Sequence, residues 1–112
     1  MLNEQMKQFK SPGPDFRGAP FWAWNGKLNR EELLRQIHIL KDMGMGGFFM
    51  HSRAGLQTEY LGDEWMELIR ICSEEAEKLG MKAYLYDEDR WPSGTAGGLV
   101  TQNPRFREKN IQ

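Results

Sequence analysis

The six residues Gly46–His51 (GGFFMH), running directly into Ser52 and Arg53, decide the fold of this chain. A strand with one wet face alternates apolar and polar residues. A run that stays apolar and is only six residues long is too short for a buried helix, and it reads as a parallel strand covered on both faces. The run stops abruptly at His51-Ser52-Arg53, so the polar residues collect at the strand's C-terminal end.

Working outward from it, helix signals flank the strand. Upstream, Asn29 can cap a helix, with Glu32 three residues on in a capping-box spacing; Leu33, Ile37 and Leu40 fall on one face, Leu34 lies beside it, and Gly44 supplies the stop. Downstream, Ser52 to Gly62 reads as a loop. Asp63 is placed to cap a second helix whose buried stripe is Trp65, Ile69, Cys72, Ala76 and Leu79, ended by Gly80. Ala19 to Asn25 (APFWAWN) and Met81 to Tyr86 (MKAYLY) read as two further short buried strands. The order strand, helix, strand, helix, strand predicts a parallel α/β sheet, a βαβαβ unit with right-handed crossovers. Residues 1–18 are polar, carry Pro12, Gly13 and Pro14, and read as an arm or loop; residues 19–112 form the α/β part.

Composition narrows the function classes. The chain has 112 residues, 39% hydrophobic and 28% charged, as in ordinary globular domains. A net charge of −1 provides no basic footprint, so nucleic acid is not an expected partner. The polar N-terminus has no signal-peptide core and no stretch approaches the ~20 apolar residues of a membrane span, so a cytoplasmic, non-membrane protein is expected. The single cysteine, Cys72, can form neither an internal disulfide nor a cysteine zinc site, and reads as a small buried side chain.

The three strand ends carry the chemistry, as α/β sheets and barrels lead one to expect. The first ends in Trp24-Asn25, the second in His51-Ser52-Arg53, the third in Asp87-Glu88-Asp89-Arg90-Trp91. His51 and Arg53 share a face while the backbone stays extended, and could hold sugar hydroxyls or a carboxylate; they could equally be a structural pair. Asp87, Glu88 and Asp89 beside Arg90 could bind hydroxyls or a hard cation, or could be a salt-bridged loop. Carboxylates adjacent in sequence rarely straddle a glycosidic bond, so this cluster supplies part of a site. Trp22, Trp24 and Trp91 could form a platform for an apolar sugar face, with core packing expected of at least one of Trp22 and Trp24. The glycines of the stretch 91–98 do not have phosphate-loop spacing. His51 with Asp87 or Asp89 could recruit zinc, but one histidine is a thin ligand set. His38 reads as solvated and without function, Glu74, Glu75, Glu77 and Lys78 as the wet face of the second helix, and Met43, Met45, Met50 and Met81 as core filler.

The run from Pro20 to Trp65, followed by Tyr84–Gly98 (YLYDEDRWPSGTAGG), resembles the opening of glycoside hydrolase family 106, the α-L-rhamnosidases and related large bacterial enzymes. The likeness extends from about Pro20 to Val100, and its HSR and DEDRWPSG strings are specific. The resemblance implies a TIM-type (β/α)8 barrel, hydrolysis of a glycosidic bond with inversion, a rhamnose-containing glycan as substrate, and an association with calcium at the sugar site. It further implies that His51, Arg53, Asp87, Glu88, Asp89, Arg90 and Trp91 line the sugar-binding mouth. The family's acid and base match no position here, so the catalytic residues stay unassigned. A full barrel takes roughly 250 residues, so the chain is expected to hold the first three strands of an incomplete barrel, to be inactive alone and to self-associate through exposed sheet edges. The alternative is a small non-enzymatic sugar-binding or assembly module.

Overall fold

The computed structural model describes residues 3–89 and 94–111. Its centre is a three-stranded sheet of β1 (Phe21–Trp24), β2 (Gly47–Ser52) and β3 (Lys82–Leu85), all parallel and in sequential order. Phe21 stands opposite Phe49, Trp24 opposite Ser52, and Tyr84 opposite Phe49 from the other side. The crossovers are α2 (Arg30–Asp42) and α3 (Asp63–Lys78), so the expected βαβαβ unit is present.

Both helices cover one face, as right-handed crossovers between strands taken in order require. Trp24, Phe48 and Met50 point to that side and close on Leu33 and Ile37 of α2 and on Trp65, Leu68, Cys72 and Ala76 of α3. Asn29 caps α2, accepting the Glu32 N–H at 3.0 Å. Gly44 and Gly80 adopt positive φ just past α2 and α3, where a left-handed residue ends the helix. Gly47 is needed where it stands: a Cβ there would come within 2.2 Å of the Lys82 carbonyl oxygen, across the β2–β3 ladder.

Several expectations need correction. β1 and β3 have four residues each, shorter than the stretches 19–25 and 81–86 suggest, while β2 keeps six and starts one residue later. The cap of α3 is Gly62, in extended conformation, and Asp63 is the first helical residue, acting electrostatically on the first turn. Its buried stripe includes Leu68 and Ile71, whereas Ile69 and Leu79 are half-buried, because α3 packs on both the sheet and α2. The N-terminal arm carries a short helix, α1 (Glu4–Lys10), with no buried residue, followed by a 3-10 turn at Pro14–Phe16. Met43 is exposed, while Met50 and Met81 are core residues. His38 is exposed yet paired: its Nε2 lies 2.8 Å from Glu75 Oε1, linking α2 to α3, and the Glu75 carboxylate is largely covered.

The opposite face of the sheet carries Phe21, Phe49, His51, Tyr84 and Tyr86, and among the described residues no crossover helix covers it. Phe49 stacks on Tyr84 at 4.6 Å between ring centroids, and Phe21 meets Phe49 and Tyr86 edge-on at 5.4 and 5.3 Å.

Candidate functional site at the strand ends

The C-terminal ends of the strands are tied together by backbone. The Arg53 N–H donates to Trp24 O at 3.1 Å, Gln57 N–H to Gly26 O at 3.0 Å, and Tyr86 N–H to Met50 O at 3.1 Å. The Leu28 N–H donates to the buried Thr58 Oγ1 at 3.1 Å. Gly55 has positive φ, and a Cβ there would stand 2.7 Å from Asn25 O, so the loop after β2 lies flat on the end of β1.

His51 is the centre of this rim. It sits on the helix-free face, yet only 6% of it is exposed, because Tyr86 tilts over it at 4.2 Å and Phe21 approaches edge-on at 5.8 Å. Its Nε2 is buried and has no hydrogen-bond partner among the described residues. Burial pushes its pKa down, the Arg53 guanidinium adds to that, and Glu88 opposes it. The imidazole is therefore biased to its neutral form, offering a buried ring nitrogen as donor or acceptor according to tautomer. Arg53 itself is exposed. The next residue on β2, Ser52, faces the other way, and its Oγ accepts the Trp65 indole N–H at 3.0 Å inside the core.

The acidic cluster divides. Asp87 is exposed, while Glu88 and Asp89 are 7% and 3% exposed. Tyr60, from the loop before α3, donates its hydroxyl to Asp87 O at 3.4 Å, and its pKa is raised by burial and by the charges of Asp89 and Asp87. Gly97 packs against this point: a Cβ on it would lie 2.9 Å from the Tyr60 ring and 3.2 Å from Asp89 Oδ2. Arg53 and Glu88 thus each lie within electrostatic reach of His51, while Asp87 and Asp89 lie within reach of Tyr60 as a second group. Arg90 and Trp91 lie outside the described residues.

The tryptophan platform needs correction. Trp22 and Trp24 both point to the helix side, where Trp24 is core and the Trp22 Nε1–H donates to Gln36 Oε1 at 2.7 Å. The aromatic residues on the open face are Phe21, Phe49, Tyr84 and Tyr86, and Tyr86 is the one that covers His51. Strict alternation along β1 was the available signal, since it sets Phe21 and Ala23 against Trp22 and Trp24.

Among the described residues, no group of three or more His, Cys, Asp or Glu side chains could hold a metal ion. Calcium needs six to eight oxygen ligands, so these residues do not fit it by themselves. Cys72 is buried, its thiol pushed up to about 12 chiefly by that burial, which suits an inert core side chain rather than a nucleophile. Among the described residues no helix is long and apolar enough to cross a membrane.

No protein-family model matches the chain, and no curated protein matches it. Among solved structures it is similar to a rhamnosidase from Novosphingobium sp. PP1Y, with a TM-score of 0.67 and 24% identity, over 81% of this chain and 9% of that one. At that identity the likeness is one of fold alone, and the α/β unit of this chain spans only a small part of that much longer chain.

Proposed function

We propose that this chain is the N-terminal part of a (β/α)-barrel catalytic domain of a glycoside hydrolase resembling the α-L-rhamnosidases of family 106, with residues 19–112 as the barrel part. Its strand ends contribute sugar contacts, and it does not turn over substrate alone. The observation that carries the reading is His51: a neutral-biased imidazole with a buried, unpartnered Nε2 at the end of a parallel strand, beside Arg53 and Glu88. Buried polar atoms are nearly always hydrogen-bonded, and those that are not commonly await a ligand or water. A sugar hydroxyl suits this nitrogen, because it can donate or accept. Arg53, Asp87, Glu88, Asp89, Arg90 and Trp91 complete the proposed mouth, and the fold likeness to a rhamnosidase supports a carbohydrate substrate. The acid and base carboxylates are assigned to no residue here, and no step is routed through calcium.

The test is calorimetric titration of the 112-residue chain with L-rhamnose, with and without calcium, against His51→Ala and Asp87→Ala, beside an aryl α-L-rhamnoside assay. Weak binding lost in His51→Ala, with no turnover, is the expected result. Turnover by the chain alone would overturn the inactive-fragment reading. Binding of many unrelated sugars without turnover would favour a stand-alone sugar-binding module.

A further inference from the structure

Asn25 and Gly26, just past the end of β1, are the chain's one asparagine–glycine pair; the other four asparagines precede Glu4, Arg30, Pro104 and Ile111. The backbone nitrogen that follows an asparagine can attack its side-chain amide, and glycine obstructs that attack least, because it has no Cβ. Here both reacting groups are at hand. Asn25 is exposed, and among the described residues no hydrogen bond engages its carboxamide or the Gly26 N–H. The fold does not demand this glycine. Its φ lies outside the left-handed region, and a Cβ on it would meet no atom within 4 Å. Every other glycine of the chain has positive φ or would set its Cβ within 4 Å of another residue. The flanking backbone, in contrast, is anchored. Trp24 O accepts from the Arg53 N–H at 3.1 Å, and Gly26 O from the Gln57 N–H at 3.0 Å. Gly55 packs so closely that a Cβ on it would stand 2.7 Å from Asn25 O.

We infer that Asn25–Gly26 is a site of spontaneous modification, at which the folded chain converts Asn25 to aspartate and isoaspartate through a cyclic imide. The Gly26 nitrogen bonds to Asn25 Cγ, the Cγ–Nδ2 bond breaks, and ammonia leaves with the proton of the Gly26 amide. Water then opens the imide. Opening at Cγ gives aspartate, and opening at the Asn25 main-chain carbonyl gives isoaspartate, whose backbone runs through Cβ and Cγ. The net reaction is a side-chain amide plus water giving a carboxylate plus ammonium. The aspartate form adds a negative charge to a chain whose formal net charge is −1. The isoaspartate form lengthens the backbone by a methylene between two anchored carbonyls. The bond from the Gln57 N–H to Gly26 O and the packing of Gly55 on Asn25 O then cannot both be kept. The loop after β2 loosens from the end of β1, in one direction and with time. This chemistry stands independently of the hydrolase reading.

The test is timed incubation of the full 112-residue chain in mildly alkaline buffer, folded and in parallel unfolded in urea, with peptide mapping by mass. Conversion at Asn25 is expected in the folded chain within about tenfold of the unfolded rate, with both products present, while Asn29 and Asn103 stay intact. Gly26→Ala has room for its methyl, so it should unfold at nearly the parent's denaturant concentration yet convert at least tenfold more slowly. Amide exchange then separates the two products. The isoaspartate form should lose protection at the Gln57 N–H, and Asn25→Asp, which adds the charge alone, should keep it. A folded chain that converts a hundredfold or more slowly than the unfolded one would overturn the inference, because the anchored backbone would then hold the Gly26 nitrogen away from Cγ. Gly26→Ala converting as fast as the parent would overturn it too, since the amide would then be hydrolysed directly by water.

Discussion

A buried histidine with an empty ring nitrogen makes the fold sensitive to mild acid. The unfolded imidazole titrates near 6.5, and the folded one lower, since burial and Arg53 disfavour its charged form. Below about 6.5 the unfolded chain therefore binds more protons than the folded one, and stability falls as pH drops through the interval between the two values. Glu32, lowered from 4.5 to about 2, loses its contribution only as pH falls below about 4.5, so it does not titrate between pH 6.5 and 5, where the lowered His51 does. Urea denaturation at pH 7.5 and 5.5 is expected to give a lower midpoint at the acid end, with the difference much reduced in His51→Gln; equal sensitivity in the variant would assign the effect elsewhere. One residue on, Ser52 tests the opposite side of the same strand. Ser52→Ala leaves the Trp65 indole N–H unpaired in the core, and such a loss costs about 1–3 kcal/mol. Denaturant unfolding of Ser52→Ala checks this, and an unchanged midpoint would mean that another acceptor replaces Oγ.

Elements whose sequence signal and packing agree were legible; those whose form depends on a neighbour were not. GGFFMH gave β2 almost to the residue, because an apolar run of that length has few other homes, and Asn29 with Glu32 located the start of α2. The cap of α3 moved from Asp63 to Gly62 because an extended backbone at Gly62 opens the helix without any side-chain bond. The single apolar stripe of α3 is too narrow a guide, since a helix wedged against both sheet and α2 buries Leu68 and Ile71 as well. α1 had no apolar periodicity to betray it and buries nothing, resting instead on the Asn3 side chain accepting the Met6 N–H at 2.9 Å. The strand-end rule puts His51 at the end of β2 and Asp87–Asp89 just past β3, as the structure has them, but the cover of His51 by Tyr86 and the bracing of Asp87 by Tyr60 come from contacts across loops that no local pattern encodes. Close approach of strands is the element-scale demand on Gly47. Gly47→Ala puts a methyl 2.2 Å from Lys82 O and forces β2 from β3, and such overpacking costs about 1–3 kcal/mol or more. Amide hydrogen exchange should register it first as lost protection at the Lys82 and Tyr86 N–H groups, which bond to Gly46 O and Met50 O; protection equal to the parent's would mean that the ladder shifts without opening.

At the scale of the whole molecule the sheet has one covered face and one bare one. The chain measures 67 × 36 × 18 Å, and its short dimension accommodates a sheet and a single helical layer. Parallel sheets are stable when both faces are covered, yet here Phe21 is 65% and Tyr84 40% exposed on the uncovered side, and among the described residues no strand pairs with the outer edges of β1 and β3. In the barrel proposed above, that face would be interior and those edges paired, which would account for core-type residues standing in solvent. An exposed aromatic row of this kind favours association. Sedimentation velocity on the 112-residue chain is expected to reveal concentration-dependent assembly, and the pair Phe21→Lys and Tyr84→Lys should shift it at least tenfold toward higher concentration. Because both side chains are substantially exposed, the double variant should unfold at nearly the same denaturant concentration as the parent, which separates a loss of stickiness from a loss of fold. A parent chain that stays a monodisperse monomer at high concentration would mean that the ring contacts Phe49–Tyr84 and Phe21–Tyr86 already satisfy the face.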